Sequence, residues 1–124
     1  MVKRNTYAEC VNFIITELNE AVSLLPENYS DAGLGRVTKG AALALKSRTL
    51  LYAASSLNNP TNDKAKWQAA SDAAKAVIDL ATQGEYRLYQ GNDYRQIFLQ
   101  KFNPEIIFSF GMNGTNWESL LDTF

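Results

Sequence analysis

Thr38-Lys39-Gly40-Ala41-Ala42-Leu43-Ala44-Leu45-Lys46-Ser47-Arg48-Thr49-Leu50-Leu51-Tyr52-Ala53-Ala54-Ser55-Ser56-Leu57 is the stretch that decides the fold. Its apolar residues point in every direction around a helical axis, as a helix covered on several sides requires. The alanines let neighbouring backbones come close. Thr38 is placed to cap it, and Asn58-Asn59-Pro60 ends it, because the residue before a proline is pushed out of helical geometry. The pattern predicts a central helix over about 38–57.

The flanking patterns are one-sided. Tyr7, Cys10, Val11, Ile14, Leu18, Ala21, Val22 and Leu25 recur at three- and four-residue steps, with Glu9, Asn12, Thr16 and Asn19 opposite. Thr6 and Glu9 have capping-box spacing, and Pro26 stops the run, so a helix is expected near 6–25. Trp67, Ala70, Ala74, Val77, Ile78 and Ala81 form a third stripe, near 63–82, with Gly84 as its C-terminal cap. Trp67 and Tyr52 read as core residues. The link between the second and third patterns is short, which makes those helices antiparallel neighbours. Beyond Gly84, Asp93 reads as the cap of a brief helix carrying Tyr94, Ile97 and Phe98. Glu105 to Phe110 is β-branched and aromatic between Pro104 and Gly111, so one short strand is expected there. The fold class is therefore predominantly all-α: tetratricopeptide-like antiparallel helix pairs with one short strand near 105–110.

Bulk properties narrow the function. The 124 residues fit one domain, with 46% apolar and 20% charged residues and a net charge of −1. Without a basic excess, nucleic acid is not an expected partner. No apolar run approaches a membrane span. Residues 1–4 lead into the first helical pattern without the apolar core of a secretory signal. Cys10 follows Glu9 and lacks the small-residue, apolar setting of a lipid-attachment cysteine.

The chemistry-bearing residues are sparse. There is no histidine, which removes the commonest general base and metal ligand. The carboxylates form no recognisable catalytic pair, and one cysteine builds no zinc site. Gly33 to Gly40 resembles a phosphate loop only superficially, since neither the preceding strand nor a Lys-Ser/Thr pair is there. No enzyme activity, metal or cofactor is expected. Trp117 stands apart, in a polar setting with Asn113 and Asn116. Its indole offers a flat face to a sugar ring, and the two amides both donate and accept. A packing role for Trp117 is the competing reading.

The order of segments adds a family. Glu17-Leu18-Asn19-Glu20-Ala21 and Leu24-Leu25-Pro26 precede Gly35-Arg36-Val37-Thr38-Lys39-Gly40-Ala41-Ala42 and Leu51-Tyr52-Ala53-Ala54-Ser55. Trp67 with Ala69-Ala70, Tyr86, Leu88-Tyr89, Ile97-Phe98 and Asn103-Pro104-Glu105-Ile106-Ile107-Phe108 come after them. Over about residues 4–110 this resembles the SusD/RagB family of outer-membrane nutrient-binding lipoproteins from Bacteroidetes. The resemblance implies a lipid-anchored, surface-exposed protein that captures glycans, or sometimes peptides, and hands them to a SusC-like TonB-dependent outer-membrane transporter. It implies tetratricopeptide-like helices serving as scaffold, with ligand-bearing loops elsewhere. Members are several times longer than this chain, which accordingly reads as a fragment: 4–110 the helical-repeat segment, 111–124 an irregular tail starting a loop region. Trp117, Asn113 and Asn116 are the expected glycan contacts. The alternative function is a general tetratricopeptide-like protein-interaction module that binds no glycan.

Overall fold

The structure is a computed structural model, and it describes residues 3–30, 33, 35–84, 86–100 and 103–109. Among the described residues four helices succeed one another: α1 (Tyr7–Leu24), α2 (Lys39–Ala54), α3 (Lys64–Thr82) and the single-turn α4 (Gln96–Leu99). The fold is predominantly helical, as the periodicity predicts.

The sequence signals act where they stand. Thr6 and Glu9 close a capping box, the Thr6 amide donating to the Glu9 carboxylate at 2.6 Å and the Glu9 amide to the Thr6 hydroxyl at 3.3 Å. Thr38 accepts from the Ala41 amide at 3.3 Å, and Asp63 from the Ala65 amide at 2.9 Å. Gly84 takes φ 100°, left-handed geometry that a glycine adopts without steric cost.

Helix direction is fixed by two cross-links. The Lys39 amide donates to the Pro26 carbonyl at 2.9 Å, and the Lys46 ammonium to the Asn19 side chain at 2.7 Å. Moving up α2 means moving down α1, so the pair is antiparallel. At the far end of α2, buried Asn59 folds the chain back. Its amide nitrogen donates to the Asp63 carbonyl at 3.1 Å and to the Ala54 carbonyl at 3.4 Å. Its oxygen accepts from the Asp63 amide at 2.9 Å. Helix α3 therefore returns along α2.

Helix α2 is central, packing on both α1 and α3, and among the described residues those two do not touch. The core lies along the α2–α3 seam: Ala42, Leu43, Ala54, Ala70, Ala73 and Leu80. Small side chains at that seam permit close approach, as the alanine-rich pattern implies. Helix α1 buries no residue fully.

Several expectations need correction. Residues 105–109 form no strand, and Phe110 lies outside the described residues. The Asn103 side chain accepts from the Glu105 amide at 2.9 Å and its carbonyl from the Ile106 amide at 3.0 Å, closing a turn over Pro104. An extended segment needs a ladder partner, and among the described residues the backbone offers this one only the bond from Arg87 to Pro104, at 3.1 Å. Local side-chain capping wins over β-propensity there. Helix α2 stops at Ala54, before Leu57, where Ser55 is extended. Trp67 is 42% and Tyr52 57% exposed, so neither is core. The Trp67 indole instead donates to Asn62 at 3.0 Å, pinning the turn where Asn62 takes φ 52°. Asp93 accepts from the Arg95 amide at 3.0 Å but does not cap α4, whose first turn begins after Arg95.

Candidate functional site

Two concave surfaces meet at the start of α2. The first is a cleft of about 200 Å³ with a mixed polar and apolar lining, where α1 hands over to α2. Of the motif residues, Gly35, Arg36 and Thr38 line it. Gly35, at φ 89°, makes the turn into Thr38. Lys39 reaches back to Glu27 at 3.2 Å, tying the helix start to the end of α1. Gly40 is buried because the Tyr86 ring lies directly on it, and any added Cβ would collide with that ring. The Tyr86 hydroxyl stands 3.3 Å from the Thr38 hydroxyl. Asn103, 5% exposed, closes the far wall and donates to the Ile97 carbonyl at 2.6 Å. The Tyr89 amide donates to Glu105 at 3.0 Å, holding the 86–89 and 103–106 segments together.

The second surface is an apolar trough of about 870 Å³. Helix α2 is its floor, through Ala41, Ala44, Leu45 and Leu51; Leu18, Ala21 and Leu25 form one wall, Ala74, Val77 and Ile78 of α3 the other. Ile107 and Phe108 also line it. The trough exists because α1 and α3 flank α2 without meeting. Its large side chains stay wet: Leu45 is 49%, Leu51 50% and Ile78 60% exposed. A helix apolar all round is here covered on two sides and open on a third.

The arrangement suits binding. Among the described residues no group of three His, Cys, Asp or Glu side chains gathers as a metal site would need. Among those residues the resolved pKa shift belongs to Glu9, whose carboxyl is held below its ordinary value by the hydrogen bonds from the Thr6 amide and hydroxyl. No described helix is long and apolar enough to cross a membrane.

The expected glycan contacts Trp117, Asn113 and Asn116 lie outside the described residues. Of the motif cations, Lys39 is paired with Glu27, whereas Arg36 and Arg48 are exposed and make no ion pair with a described carboxylate. The trough is a surface that local pattern does not announce. Its signal in the sequence is the all-round apolar character of α2 beside two one-sided partners, which together cannot cover it.

No curated protein and no solved structure matches the chain. Residues 1–51 match the SusD-like family described as starch-binding and associating with the outer membrane. That match takes in α1, the Gly35–Ala42 turn and most of α2. Through residues 1–51, somewhat less than half of its length, the chain is similar to that SusD-like family.

Proposed function

We propose that this chain is the helical scaffold segment of a cell-surface glycan-binding protein that passes polysaccharide or oligosaccharide to a SusC-like TonB-dependent transporter. The observation that carries the reading is the family match over residues 1–51, which ends inside the helix on which the rest of the fold packs. In this reading residues 4–110 are the tetratricopeptide-like scaffold, and 111–124 begin the ligand-side region. The full-length parent is lipid-anchored at the outer membrane, with no catalytic step. Sugar contact within this chain falls to Trp117, assisted by Asn113 and Asn116. Stacking on one ring contributes on the order of 1 kcal/mol beyond area burial, so these residues act as part of a larger site.

Affinity electrophoresis of the full-length parent through gels containing starch or other polysaccharides tests the proposal. Retardation by a glycan supports it. Unchanged migration in every glycan, together with binding to a protein partner, would establish the rival reading of a general interaction module.

A further inference from the structure

We propose that the cleft between the end of α1 and the start of α2 binds one acidic sugar ring, a pyranose bearing a carboxylate. Arg36 holds the carboxylate, and Tyr29 and Tyr86 flank the ring. The inference rests on the glycan-binding reading and narrows it to a charged class of glycan.

Charge points to an anion. Of the described residues that line the cleft, Glu27 and Arg36 are charged. Glu27 is answered by Lys39 at 3.2 Å. Arg36 makes no ion pair with a described carboxylate. Its planar fork matches a carboxylate through two parallel hydrogen bonds, a match that a neutral sugar leaves unused.

The walls suit a ring. The Tyr29 side chain lies on Gly33, where an added Cβ would come within 2.8 Å of it, and Tyr86 lies on Gly40 in the same way. Both aromatic walls are thus built on glycines that leave room for them. The Arg36 amide donates to the Gly33 carbonyl at 3.2 Å, so one turn carries the guanidinium and the support of Tyr29. Ile106, Ile107 and Phe108 add apolar lining, while the Thr38 and Tyr86 hydroxyls, 3.3 Å apart, add a polar edge. A pyranose needs both, an apolar surface for its C–H face and polar atoms for its hydroxyls.

Size selects a single unit. The cleft measures about 200 Å³. Drug-sized ligands occupy pockets of roughly 300–1,000 Å³, so one ring fits here and an extended chain does not.

The test is amide NMR titration of the 124-residue chain with galacturonate and glucuronate. A uronate should shift the Tyr29, Gly35 and Asn103 resonances saturably. Its methyl ester, the same ring without the charge, and acetate, the charge without the ring, should each bind on the order of tenfold more weakly. Arg36→Gln should weaken uronate binding by a similar factor and leave helix content unchanged, because Arg36 is exposed. Arg95→Gln, an exposed arginine outside the lining, should leave binding unchanged. Equal binding of the ester, or full affinity in Arg36→Gln, would remove the carboxylate contact and overturn the proposal. Equal binding of acetate would overturn it by reducing the cleft to a general anion site. The absence of shifts with either uronate would also overturn it, and retardation of the full-length parent by neutral starch would then leave the broader glycan-binding reading standing.

Discussion

At the scale of single residues, two polar side chains carry more than their size suggests. Asn59 is 3% exposed and makes three bonds to the backbone of the α2–α3 link. Replacing it leaves the Asp63 amide and two carbonyls without that partner in a buried turn. Asn59→Ala should cost about 1–3 kcal/mol, read by chemical denaturation, whereas Asn58→Ala, one position earlier and less enclosed, should cost less. Glu9 gives a pH signature. Its folded pKa lies below the ordinary 4.5, because the Thr6 amide and hydroxyl bond the ionised form. The capping box therefore adds stability that is fully present above pH 4.5 and is lost as pH falls through the lower folded value. Acid titration followed by amide NMR should show the Thr6 and Glu9 amides losing protection in that range, and Glu9→Gln should abolish the pH dependence.

At the scale of elements, the α2–α3 seam is where volume matters. Ala42 is 3% and Ala54 0% exposed. Ala42→Glu and Ala54→Glu place an unpaired charge in that seam, and each should destabilise by about 3 kcal/mol or more. Asp72, exposed and bonded to Gln68, should tolerate Asp72→Ala within about 0.5 kcal/mol. Thermal melts of the three variants decide whether α2 is central. That centrality was legible beforehand, because no other stretch is apolar all round, and so were the caps at Thr6 and Thr38, whose side chains bond their own helix starts; the Asp63 cap was not read from the sequence. Residues 105–109 were not legible, since β-propensity cannot register that Asn103 caps a turn and that no described strand stands alongside. Trp67 also misled: a stripe of apolar positions says which face packs, but not that the indole sits at the edge and bonds Asn62. The cleft was half legible. Gly35 and Thr38 announce a turn and a cap, but Tyr86 on Gly40 joins positions far apart in the chain, which local pattern does not encode. Trp117, Asn113 and Asn116 remain a reading from residue type.

At the scale of the whole molecule, stability should fall off from one side to the other. Helices α2 and α3 share the buried apolar residues, and α1 contributes none. Helix α1 is held by the Lys39–Pro26 bond, the Lys46–Asn19 bond and one flank of the trough, and it does not touch α3. Opening α1 away from α2 therefore exposes little fully buried apolar surface, while opening α3 breaks the core. Local opening free energies track buried contact, so α1 is the element that unfolds first. In native-state hydrogen exchange, amides in the middle of α1, such as Ile15 and Leu18, should exchange faster than those of Leu43 and Ala73. Equal protection of all three helices would mean that α1 is anchored by contacts other than these.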